Sequence, residues 1–243
     1  MLIPILILFF GPFIGVLLNI FLKVKTNKFI GLTVLFSGAF LMGISLFGLM
    51  PELYEHGDIA QAGIWLVVGF FFQIVLEKFT GGLGHGHIHK EDIPKDALVL
   101  FVGLFVHALL EGYSAGVSSY LNPGLLSGMV IGIAIHEIPA SFALSILLGN
   151  RFKNKKILYG LLFIYVLTTP LGYSLGTFLH KQNIVSNNLS FIITAIIAGT
   201  FLHISTTIVF ESSLWKKEGL KKWLIIFAGL LISFFACELG HQH

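Results

Sequence analysis

The sequence predicts an all-α integral membrane protein with eight transmembrane helices, and three features predict it. Hydrophobic residues make up 56% of the 243 residues and charged residues only 11%, with a mean hydropathy of +0.90. A soluble domain usually carries about 25% charged residues, which cover its surface. The apolar residues gather in eight long runs without strand-like alternation, and a helix needs roughly 20 such residues to cross the hydrocarbon layer. The basic residues fall almost entirely between alternate runs. The same composition excludes a disordered chain, and Cys237, the single cysteine, excludes a disulfide scaffold. The net charge of +3 is small and its lysines are split into short clusters, so no nucleic-acid surface is expected.

The first run, 2–22, ends at Lys23 with no small-residue cleavage site, and reads as a span rather than a leader peptide. A loop with Lys23, Lys25 and Lys28 leads to the second span, 29–50, which is followed by an acidic loop of Glu52, Glu55 and Asp58. The third span, 59–77, precedes the segment 78–95, which carries Lys78, Lys90 and Lys95. Spans four and five, 96–118 and 124–148, follow in close succession. Arg151, Lys153, Lys155 and Lys156 separate them from the sixth span, 157–179, and Lys181 stands alone after it. The seventh span, 189–210, is followed by Lys216, Lys217, Lys221 and Lys222 and by the eighth, 222–240. All basic residues except Lys181 therefore lie on one side. The positive-inside rule makes that side cytoplasmic, puts both termini outside, and suits a plasma or inner membrane. Residues 1–243 read as one transmembrane domain, with 78–95 as a His-containing cytoplasmic loop.

A faint repeat is present. Gly38-Ala-Phe-Leu-Met42 in span 2 is similar to Gly199-Thr-Phe-Leu-His203 in span 7, and Glu52 and Glu211 each follow about a dozen residues later. The two spans run in opposite directions, so the repeat is an inverted one.

Ionisable groups at mid-span cost at least about 2.5–3.5 kcal/mol each, so they mark function. Span 4 carries His107 and Glu111, and span 5 carries His136 and Glu137. His107 and Glu111 are four apart and stack on one helix face. His136 and Glu137 are adjacent, and Pro139 frees the carbonyl of Ile135 one turn earlier. Two imidazoles and two carboxylates suit a divalent transition metal, and no thiolate is present for Cu(I). The competing reading makes each His–Glu pair a buried couple joining two helices. Two such pairs at one depth on consecutive spans favour metal or proton chemistry.

Other histidines rank lower. His85, His87 and His89 alternate in a polar loop and could bind metal loosely. His241 and His243 are a weaker version of the same, and His56 and His180 read as loop residues. His203 in span 7 reads as a core histidine bonded to a backbone carbonyl, with an accessory metal ligand as the alternative. The spacings Gly112/Gly116, Gly128/Gly132 and Gly172/Gly176 read as close helix packing.

These residues resemble the ZIP (Zrt/Irt-like) metal-ion transporters over essentially the whole chain. The span-4 pattern His-x-x-x-Glu-Gly is met by His107, Glu111 and Gly112, and the span-5 pattern His-Glu-Ile-Pro by His136, Glu137, Ile138 and Pro139. Pro51-Glu52, Pro170-Leu-Gly and Gly199-Thr-Phe-Leu also fit. The resemblance implies a 3+2+3 arrangement, two inverted three-helix repeats around spans 4 and 5. It also implies uptake of zinc or a related divalent ion (iron, manganese or cadmium) into the cytoplasm, the metal being a substrate and not a cofactor. Its metal residues carry over to His107, Glu111, His136 and Glu137. Three positions depart from the family pattern: Ala108, Ala140 and Thr169 stand where polar or acidic ligands of a second metal site are usual. One competent site is therefore expected.

Two other classes compete. His136-Glu137-Ile138-Pro139-Ala140 approaches the His-Glu-x-x-His pattern of zinc proteases, but Ala140 occupies the place of the second histidine. A metal-binding membrane protein that does not transport would also fit the missing ligands. The expected partners are the ion and the bilayer, with room for a homodimer.

Overall fold

The computed structural model describes residues 2–22, 28–80, 97–121, 123–182, 184, 186–211 and 219–241. Every regular element among them is helical: α1 (Leu2–Leu22), α2 (Lys28–Gly43), a π-helical segment (Ile44–Leu49), α3 (Met50–His56), α4 (Ile59–Thr80), α5 (Ala97–Leu121), α6 (Pro123–Arg151), α7 (Lys155–Lys181), α8 (Asn187–Glu211) and α9 (Gly219–His241). Eight stretches are long and apolar enough to cross a membrane, the second running through α2, the π segment and α3. The expected spans are all present.

Their ends differ from expectation in one systematic way: helix continues into the charged flanks. Glu52 and Glu55 lie on α3 and not in a loop, which shortens the acidic connection to Gly57 and Asp58. Asp58 then caps α4, its carboxylate accepting from the Gln61 amide at 2.7 Å. Asn154 caps α7 in the same way through the Lys156 amide at 3.0 Å. Lys222 belongs to α9 and is buried, not a loop residue. His180 is in the last turn of α7, stacked on Tyr120 with ring centroids 4.9 Å apart.

Few of the outward positions are polar. Ile3, Phe71, Phe163 and Phe227 are among many large apolar side chains left exposed, as a lipid-facing surface requires. The closest helix pairs are α5 with α7, α1 with α6, α4 with α8 and α2 with α9; next come α2 with α8, α5 with α6, α1 with α7 and α6 with α9. Numbered by span, these pairs are 4–6, 1–5, 3–7, 2–8, 2–7, 4–5, 1–6 and 5–8. Exchanging spans 1, 2 and 3 with 6, 7 and 8, and span 4 with span 5, returns every pair but 5–8, whose counterpart 3–4 is a looser contact.

Backbones touch along the tightest pairs, because glycine lacks the Cβ that would keep them apart. A Cβ at Gly112 would stand 2.0 Å from the carbonyl oxygen of Thr169, and one at Gly172 would stand 2.3 Å from that of Leu109. On the other side, Gly11 and Gly15 of α1 press on the Ala134 and Ile138 carbonyls of α6. The two central spans, α5 and α6, are thus each held tightly by one helix, and they also meet each other.

Candidate metal centre

The polar groups collect where α5 and α6 meet. His107, Glu111, His136 and Glu137 are 6%, 3%, 0% and 0% exposed. One donor atom each from His107, Glu111 and His136 can be chosen so that all three lie within 4.8 Å of one another. His107 Nε2 stands 3.3 Å from Glu111 Oε1, as their spacing of four on one face dictates. The two imidazoles approach edge to face across the helix interface, centroids 5.9 Å apart. Neither Glu111 oxygen nor His107 Nε2 has a hydrogen bond of good geometry. Buried carboxylates and imidazoles are normally satisfied, so this donor set has the chemistry of a cation site: nitrogen and oxygen ligands, no sulfur, and a negative charge to offset the ion.

Glu137 is treated differently. It lies outside that trio, and its Oε2 accepts a hydrogen bond from the Tyr165 hydroxyl on α7 at 2.8 Å. Its carboxyl group is close enough to that of Glu111 to interact with it. His136 therefore faces α5 through His107, while Glu137 reaches α7 through Tyr165 and α5 through Glu111. Ala108, Ala140 and Thr169 are all fully buried.

A cavity of about 360 Å³ opens beside the trio between α4, α5 and α8. His107 and Glu111 reach its wall together with Gln73, Tyr113 and Thr200, and the rest is apolar, Phe72, Ile196 and Phe201 among it. Just past it, Nε2 of His203 meets Glu77 Oε2 at 2.6 Å, with Phe70 edge-on to the imidazole at 4.9 Å. The expected backbone-carbonyl partner of His203 is thus a carboxylate from α4. Glu77 and Tyr165 carried no signal in the sequence reading. Glu77 sits next to Lys78 at a span end, where charge is unremarkable. Tyr165 stands one turn before Thr169, whose position was already marked, and that spacing could have drawn attention to it. His85, His87, His89 and His243 lie outside the described residues, as does the side chain of His241.

The family model described as "ZIP Zinc transporter" matches residues 84–236, well over half of the chain. Zinc transporter ZIP9-B of Xenopus laevis is 26% identical over 215 residues, covering 78% of this chain and 69% of the relative. Zinc transporter ZIP1 of Plasmodium falciparum (isolate 3D7) is 28% identical over 161 residues, covering 63% of this chain and 44% of the relative. Zinc transporter ZIP1 of Danio rerio is 22% identical over 254 residues, covering 84% of this chain and 83% of the relative. With eight apolar helices and this match, the chain is an integral membrane protein belonging to the ZIP zinc transporter family.

Proposed function

We propose that the chain carries zinc, or a related divalent transition-metal ion, across the membrane into the cytoplasm, and that His107, Glu111 and His136 hold the ion in passage. The observation that carries this is the buried trio of donors within 4.8 Å, bordered by a cavity in the wall of the bundle. The relatives' names as zinc transporters support zinc as the cargo. Mixed His/Glu ligation suits a transporter, since the same groups that bind the ion weaken their hold when protonated. Ala108, Ala140 and Thr169 supply no carboxylate around Glu137, which supports a single ion at this level.

The inward direction is what the resemblance to the family implies, while the basic loops, read as cytoplasmic, support both termini lying outside in a plasma or inner membrane. Residues 1–243 act as one transporter domain, and 78–95 as its cytoplasmic His-containing loop. The 3+2+3 inverted-repeat arrangement is supported by the set of close pairs that survives exchange of the two halves. A protease has no support in a family of transporters.

The test is uptake of a panel of radiolabelled divalent ions into proteoliposomes by the parent, His107→Ala and Glu111→Ala. Zinc uptake by the parent and loss of most binding and flux in both variants is expected. Parent-like binding and flux in both would reduce the His–Glu pairs to helix glue.

A further inference from the structure

The buried Glu137 carboxylate is held in an unusual way for a group one residue from a proposed ion ligand. Its Oε2 is taken by the Tyr165 hydroxyl at 2.8 Å, while its carboxyl group also interacts with that of Glu111. Tyr165 is itself fully buried, set in an apolar wall with Val16, Leu144, Leu148 and Leu162, so its ring has little freedom to follow a moving carboxylate. The nearby Ser141 hydroxyl gives no help: it donates to the backbone carbonyls of Glu137 and Ile138. Glu137 is thus bonded to a phenol of α7, while the trio drawn from α5 and α6 leaves it out.

We propose that Tyr165 is a positioning residue that holds Glu137 back from the ion and so keeps the site open for release. The inference rests on the reading of His107, Glu111 and His136 as the ion site. Three protein donors leave a zinc ion one exchangeable position, whereas four close its tetrahedron, and closed zinc sites are the structural, slowly exchanging kind. A buried carboxylate beside a divalent cation gains by joining it. Glu137 has a second oxygen and a neighbour, Glu111, already in the trio, and the hydrogen bond from Tyr165 opposes the swing. Groups that orient metal ligands are commonly worth 10- to 100-fold in affinity.

The sign of the effect separates this from a structural role. Tyr165→Phe keeps the ring packing and removes only the hydroxyl. Zinc affinity of the purified full chain should rise about tenfold while the saturating zinc uptake rate in proteoliposomes falls, because the recruited Glu137 binds the ion and slows its departure. Adding Glu137→Ala to Tyr165→Phe should abolish the gain in affinity. Tyr165→Phe that binds zinc as weakly as the parent or more weakly, or a gain that persists in the double variant, overturns the proposal. A second measurement needs no variant: infrared difference spectra of the parent with and without zinc should show no shift of a tyrosine C–O mode, since the Tyr165–Glu137 bond persists with the ion bound. A zinc-induced tyrosine shift overturns it as well. The underlying site has its own control, because zinc affinity unaffected by His107→Ala removes the site whatever Tyr165 does.

Discussion

Replacing Gly112 by alanine probes how the α5–α7 contact places the metal donors. The new Cβ would stand 2.0 Å from the Thr169 carbonyl oxygen and 3.0 Å from the Tyr173 amide nitrogen. Carbon and oxygen rest no closer than about 3.3 Å, so α5 must draw back from α7 by about 1.3 Å. The Thr169 oxygen belongs to helix backbone and cannot rotate aside as a side chain would. Overpacking of this kind costs about 1–3 kcal/mol, which should lower the melting temperature in detergent by several degrees. Glu111 immediately precedes Gly112, so its carboxylate travels with the retreat while His136, on α6, is held from behind by Gly11 and Gly15. Metal–ligand distances tolerate only about 0.2 Å; zinc affinity should therefore fall at least tenfold or so. Gly160→Ala, on α7 with nothing within 4 Å of its added methyl, is the control and should leave both quantities alone. A Gly112→Ala protein that melts and binds zinc like the parent would refute the idea that this backbone contact sets the donor geometry.

Other expectations follow from the same structure. Cysteines introduced at Asp58 and Lys181 should label from outside intact cells and one at Lys153 only after permeabilisation; labelling at Lys153 in intact cells would reverse the orientation. Replacing His85, His87 and His89 by serine should weaken a low-affinity cytoplasmic binding event and leave most zinc flux intact, measured at saturating metal. Glu77→Gln takes the charged partner from the buried His203 and should cost about 1–3 kcal/mol in a detergent unfolding titration; unchanged stability would make the 2.6 Å contact a bystander.

Span number and the depth of the two His–Glu motifs were legible because each is a local property. Twenty apolar residues form one span wherever they are, and His107 and Glu111 share a face by spacing alone. What could not be read are relations between spans far apart in the chain. Glu77 and His203 are 126 residues apart and Glu137 and Tyr165 are 28 apart; no periodicity connects either pair. The division of labour between His136 and Glu137 was equally hidden, since adjacency fixes the angle between them but not which neighbour each one meets. Helix ends were misplaced for a different reason. Hydropathy stops at the first charges, whereas hydrogen bonding carries the helix on to His56 and to caps such as Asp58 and Asn154.

The π-helical stretch in the second span has a consequence for chain register. The Met50 amide donates to the Ser45 carbonyl, five residues back, and such a turn contains one residue more than the α-turn it replaces. One residue corresponds to about 100° of helix rotation. The C-terminal part of the span is therefore phased differently from its N-terminal part, and the phase that sends Leu53 into the apolar core, 2% exposed, is the shifted one. Deleting any single residue between Ile44 and Leu49 would let the rod close into uninterrupted α-helix and turn Leu53 away from that core. The segment behaves as a one-residue insertion absorbed without a loop, and it lets a single span bury two differently aimed faces.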